Sequence, residues 1–170
     1  MIKVVNKIDS SAKRFQRVTS FKIYLTNPSL RCALFSPLLE SDEAMGNMVE
    51  TAIYAQWIQR DNTEVYYSNW QLGRGKCGEV DMVGLDVISQ KPNWVVEVKW
   101  SDRYVDNISE LGSLHHFLDV NNIDEAIVTS INKFVSKEIG SSRIQFIPSA
   151  IYAYIVGYNT IHRRALEVGL

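Results

Sequence analysis

Cysteine is nearly absent from this chain of 170 residues: Cys32 and Cys77 stand far apart, and neither has metal-ligand spacing. That excludes a disulfide framework and a zinc centre and fits a reducing cytosol. Long apolar runs are lacking too. None approaches the roughly 20 residues of a membrane span, and the N-terminus has no signal-peptide core, so a cytoplasmic protein with no membrane partner is expected. Charge of one sign is scarce overall, at a net -1.

That small net charge conceals an asymmetry. Met1 to Arg31 contain seven basic residues (Lys3, Lys7, Lys13, Arg14, Arg17, Lys22 and Arg31) against one acid, Asp9, while the remainder has 11 basic and 18 acidic residues. A basic arm on an acidic body is one form of nucleic-acid footprint. A solvated surface strand pair or linker is the plainer explanation. The acidic body argues against tight, non-specific DNA binding without a divalent ion, because phosphate contacts dominate such affinity. With 46% hydrophobic and 22% charged residues, the rest is ordinary for one globular domain with a real core.

The residues that carry chemistry are few and ordered. Glu50 comes first, then Asp81 in Glu79-Val80-Asp81, then Glu97 and Lys99 in Glu97-Val98-Lys99. Three carboxylates and an ammonium are the parts of a magnesium-dependent phosphodiesterase: hard cations take oxygen ligands, and attack on phosphate needs activated water and charge neutralisation. The run from Trp94 to Trp100 reads as a buried strand, and its two ionisable groups, two residues apart, share a face. Buried charges are costly unless paired or bound to metal. The ordinary alternatives are a boundary Glu50, a Glu97–Lys99 ion pair and a solvated Asp81.

Periodicity predicts strands over 2–8 and 17–25 with a turn at Asp9-Ser10-Ser11, then a short helix over 30–35 between Asn27-Pro28-Ser29 and Ser36-Pro37. A helix over about 42–60 follows, with Asp42 and Glu43 in its first turn. It carries Glu50 one turn after Gly46, whose poor propensity implies a close neighbour against the backbone there. Strands over 64–70, 79–88 and 94–100 form an antiparallel meander, with Glu79 and Asp81 on one side of their strand, Val80 and Met82 on the other, and Asp81 beside Glu97. A helix over 106–119, opened by an Asn107/Glu110 capping-box variant, leads to a parallel strand over 125–130. Residues 131–143 read as a polar loop or loose helix, 144–148 as a strand, 149–158 as a terminal helix and His162-Arg163-Arg164 as a frayed tail.

Two leads close here. Gly75-Lys76 has Trp70 where a phosphate loop needs its first glycine, Cys77 where it needs Ser or Thr, and no helix after it. The pair His115-His116 lacks further ligands at helical spacing, so one or both read as surface residues.

The order helix with Gly46-x-x-x-Glu50, strand, strand with Glu79-Val80-Asp81, strand with Glu97-Val98-Lys99, helix, strand resembles the PD-(D/E)XK nuclease superfamily. More narrowly, Lys22-Ile23-Tyr24-Leu25-Thr26-Asn27-Pro28-Ser29-Leu30 followed by Gly46 to Glu50 resembles the C-terminal domain of a group of bacterial and archaeal AAA+ ATPases. Asn27 stands where that group often has an acid. The likeness covers roughly residues 20–155. It implies an α/β fold with a restriction-endonuclease-like core, a mixed central sheet flanked by helices in the order αβββαβ. It divides the chain into a basic strand pair (1–25) ending a winged-helix-like segment, a nuclease-like domain (26–160) and a tail (161–170), with an AAA+ ATPase module as partner.

Carried over position by position, Glu50, Asp81, Glu97 and Lys99 are the catalytic group. Asp81, Glu97, the Val98 carbonyl and Glu50 are the ligands of Mg2+ or Mn2+, and Glu79, Tyr67, Ser101 and Asp102 surround them. The implied activity is metal-dependent hydrolysis of nucleic acid, DNA rather than RNA. The alternatives are a non-catalytic nuclease-fold module tethering an ATPase to a partner, and a DNA-docking domain acting through the basic arm.

Overall fold

The computed structural model describes residues 2–8, 21–60, 63–71 and 77–167. These form an α/β fold around an eight-stranded mixed sheet: β1 (Ile2–Ile8), β2 (Phe21–Leu25), β3 (Tyr66–Gln71), β4 (Cys77–Leu85), β5 (Pro92–Glu97), β6 (Glu125–Ser130), β7 (Val135–Ile139) and β8 (Ser142–Pro148). The spatial order is β2-β1-β3-β4-β5-β6-β8-β7. β3, β4 and β5 are an antiparallel meander, and β6 lies parallel to β5. The helices are α1 (Ser29–Leu34), α2 (Met45–Trp57), α3 (Arg103–Asp106), α4 (Gly112–Asn121) and α5 (Ser149–Glu167), with a 3-10 turn over Ile108–Leu111. No helix of the described residues is long and apolar enough to cross a membrane.

Each sheet face buries its own core. Leu114, Phe117 and Leu118 of α4 pack on Val80, Val83, Val95, Val128, Ile144 and Phe146. Ile53, Tyr54 and Trp57 of α2, with Tyr152 and Val156 of α5, pack with Met82, Val96 and Ile147 in a second cluster. Trp57 and Trp94 stack there at 4.6 Å. Covering both faces makes the inner strands nearly continuous apolar runs.

Several elements depart from the periodicity. Val80 and Val83 share one core and Met82 lies in the other, so Val80 and Met82 are not on the same side. The cause is a bulge: the partner of β3 jumps from Val83 at Tyr66 to Val80 at Ser68, placing one extra residue in β4. β4 stops at Leu85, because Asp86 accepts N–H groups from Ile88 and Ser89 and closes a turn. Residues 135–139 are a strand, not a loop; on this sheet edge only Val135 and Ile139 turn partly inward, and alternation that sparse is hard to read.

α2 starts at Met45 without an acid in its first turn, since Asp42 instead accepts the Leu39 N–H at 2.7 Å. The expected single helix over 106–119 is broken at Asn107, which has a non-helical backbone and caps the C-terminus of α3, donating its side-chain amide to the Arg103 carbonyl at 3.2 Å, with no side-chain bond to the following turn; Glu110 pairs with Arg103 at 3.1 Å instead. α5 runs to Glu167, past the expected end at Tyr158 and through His162, which stacks on Tyr158. Of the first two expected strands, residues 9–20, including the turn at 9–11, lie outside the described residues, as do residues 72–76 before β4.

Candidate active site

The bulge in β4 and the C-terminal end of β5 bring the first two carboxylates together. Asp81 Oδ2 accepts the Val98 N–H at 2.9 Å, and Glu97 Oε2 accepts the Asp81 N–H at 3.4 Å. Each side chain reaches the other strand's backbone, so the pair is held by exchanged bonds. Both residues are buried, at 9% and 6% exposure. Burial, with Glu97 and Glu50 nearby, pushes the Asp81 carboxyl well above its ordinary range, although Lys99 and Lys22 oppose this. Burial also raises Glu97, against the pull of Lys99. Buried carboxyls raised in this way, with specific charged partners, cluster at functional sites.

Lys99 closes the next link. Its Nζ lies 2.7 Å from Glu97 Oε1, although β5 ends at Glu97 and Lys99 lies two residues beyond it, and 5.6 Å from the Tyr104 ring centroid. Burial works against its charge, but Glu97 and Asp81 outweigh burial and keep the ammonium protonated beyond its usual range.

Glu50 enters from α2 and meets the strands through a residue that the sequence placed in a solvated arm. Lys22 on β2 lies 2.6 Å from Glu79 Oε1, 3.1 Å from Glu50 Oε1 and 3.5 Å from Asp81 Oδ1, over the Tyr67 ring. Burial opposes its charge, yet the three carboxylates raise it above the ordinary lysine value. Tyr24, two residues on along β2, donates its hydroxyl to the same Glu50 oxygen and stacks on Tyr54 at 4.0 Å. Tyr54 in turn donates to the Asp81 carbonyl at 2.8 Å.

The four expected residues therefore converge, with Lys22 and Tyr24 added. The only advance sign of these two was their same-face spacing on a short strand. Among the expected surroundings, Glu79 and Tyr67 flank Lys22, and Ser101 lines the cavity. Asp102 does something else: its Oδ1 accepts the Ile131 and Asn132 N–H groups and fixes the loop after β6. The close neighbour expected at Gly46 is missing, since a Cβ there would meet nothing within 4 Å. Gly46 instead borders the open cavity.

That cavity has a volume of about 630 Å3 and is lined by Glu50, Glu79, Asp81, Val98 and Lys99, with the segment from Glu40 to Glu43 as one wall. Trp100 ties the wall down by donating its indole N–H to the Glu40 carbonyl at 3.0 Å. Among the described residues no group of three or more His, Cys, Asp or Glu is arranged to hold a metal ion; the cation these carboxylates hold is Lys22. His115 and His116 take no part: His116 lies against Trp70, with ring centroids 5.5 Å apart. No family model matches the chain, and neither does a curated protein or a solved structure.

Proposed function

We propose that this chain hydrolyses phosphodiester bonds in nucleic acid, DNA rather than RNA, with Mg2+ or Mn2+, on a restriction-endonuclease-like core normally attached to an AAA+ ATPase. The observation that carries this reading is the meeting of two buried carboxylates, Asp81 and Glu97, with Lys99 on one side and Glu50 on the other. The donor set fits a hard cation: Asp81, Glu97, Glu50 and the Val98 carbonyl offer only oxygen.

When bound, the ion supplies Lewis-acid charge at a phosphate oxygen and favours ionisation of water. The chain's own groups do the rest. Lys99, tethered to Glu97, places an ammonium in the cavity where negative charge grows on the reacting phosphate and on the attacking water. Glu50 orients that water by accepting its hydrogen bond. The cavity between the Glu40–Glu43 wall and the end of β5 admits a backbone phosphate. Its rim acids oppose polyanion binding, which makes affinity dependent on added divalent ions.

Cleavage of labelled single-stranded, duplex and branched DNA and RNA, with Mn2+ and with chelator, tests the reading. Ion-dependent cleavage supports it, and its absence on every substrate overturns it. One observation favours a non-catalytic module instead: Ile151, Tyr154, Tyr158 and Ile161 on α5 are exposed. Under that reading the chain binds an ATPase partner whether or not the ion is present.

A further inference from the structure

Lys22 sits where a cation bound by these carboxylates has to sit. Its ammonium lies within 3.5 Å of oxygens from Glu50, Glu79 and Asp81, residues of α2 and of β4. Mg2+ needs its oxygens at about 2.0–2.1 Å, so an ion sharing the Glu50 and Asp81 oxygens with Lys22 would press against a like charge across a distance with little room for screening water. The two cations exclude one another.

We infer that Lys22 is the site's internal counter-ion and that divalent binding proceeds by exchange, the ion entering as the Lys22 ammonium leaves. This rests on the carboxylate site proposed above and adds its regulation: the basic arm sets how much ion the site needs.

The surroundings allow the exchange. Lys22 keeps 23% of its side chain exposed, and a four-carbon stem lets a lysine turn its head to water while its carbons stay packed. The strand beneath it need not melt, because Tyr24 is buried against Tyr54 and anchors β2 separately. β2 is a sheet edge, and its partner β1 joins β3 through a short parallel ladder, Lys7 to Tyr67 and Ile8 to Ser68. An anchored edge strand with one charged residue over the site couples the position of that residue to ion affinity. Without Lys22, Glu50, Glu79 and Asp81 repel one another, so the empty site is protected from its own charge until an ion arrives.

Two measurements on the full chain test the exchange. Mn2+ titration followed by electron paramagnetic resonance compares the wild type with Lys22→Met, which keeps the stem and removes the charge, and Lys22→Arg, which keeps the charge. The Met variant should bind at least about tenfold tighter and the Arg variant no tighter than the wild type, a difference of about 1.4 kcal/mol per factor of ten. Trace acylation read by mass spectrometry then reports Lys22 directly, with Lys137 on β7 as the internal reference. Saturating Mg2+ should raise Lys22 labelling several-fold and leave Lys137 unchanged. Equal Mn2+ affinity in the wild type and the Met variant, both folded by circular dichroism, or unchanged Lys22 labelling under Mg2+, overturns the exchange alone. Failure of both proteins to bind Mn2+ overturns the metal site and the exchange together.

Discussion

Thr129 Oγ1 accepts the Lys99 N–H at 2.8 Å and donates to the Lys99 carbonyl at 2.9 Å, so one buried hydroxyl on β6 satisfies both backbone groups of Lys99. β5 has ended by then, and Lys99 has no strand partner on that stretch. Without the hydroxyl, two polar groups in a partly buried place lose a partner, although Ser149 Oγ also approaches the carbonyl at 3.5 Å.

Thr129→Val should therefore cost about 1–3 kcal/mol of stability, from unmade hydrogen bonds with little change in volume. It should also lower cleavage more than folding alone explains, by up to about 100-fold, because Lys99 is a positioned group. Thr129→Ser retains the hydroxyl and should restore most of both. Denaturant unfolding and single-turnover cleavage at saturating ion read the two effects. A Val variant with normal turnover would mean that Lys99 is oriented by its ion pair with Glu97.

The glycines give an opposed pair. A Cβ at Gly84 would collide with the Trp94 indole, which stacks on Trp57, whereas one at Gly46 meets nothing. Gly84→Ala should lose about 1–3 kcal/mol through overpacking. Gly46→Ala, in the first turn of α2, should gain up to about 1 kcal/mol from helix propensity. Urea midpoints of the two variants should move in opposite directions.

The sequence made the strand-borne part of the site legible because Glu97 and Lys99 break an apolar run at a spacing of two, and such charges need a purpose. Glu50 was legible only beside them; alone on its helix it looks like a boundary residue. Lys22 was not, because its partners lie 28, 57 and 59 residues away and a local window sees only a basic arm. The side to which Met82 points is hidden for a related reason: a bulge changes alternation without changing composition. β7 is hard to read because a solvated edge strand carries little periodic signal. The meander and the parallel β6 were readable from short turns and one helical crossover.

Acid should weaken the β4–β5 turn through Asp86. Its carboxylate is held below the ordinary value first by the Ser89 N–H, then by the Ser89 hydroxyl and the Ile88 N–H. A carboxylate depressed in the folded state stabilises above its unfolded value near ~3.9, and that contribution is lost as pH falls through the folded value. Asp86→Asn keeps the acceptor oxygen and removes the titration. The stability gap between wild type and variant should narrow on going from about pH 6 to about pH 2. Urea midpoints at both pH values measure it, and an unchanged gap would show that the turn does not depend on the charge.

The chemistry separates Lys99 from Asp81. Lys99 touches Glu97 and the cavity and offers no ligand atom to a cation, so Lys99→Ala should keep Mn2+ binding while losing cleavage by about 10²- to 10³-fold, the scale of one electrostatic donor. In the proposed site Asp81 is a carboxylate ligand, and its Oδ2 accepts the Val98 N–H. Asp81→Asn replaces that anion with a neutral amide, so ion binding and cleavage should fall together. Ion binding to the native state also raises thermal stability by mass action, which gives a readout that needs no substrate. Mn2+ should raise the melting temperature of the wild type and of Lys99→Ala, and leave Asp81→Asn nearly unmoved. Equal shifts in all three proteins would place the ion elsewhere on the chain. Normal shifts without cleavage by any of them, together with retained binding of an ATPase partner, would make the non-catalytic module the better account of this site.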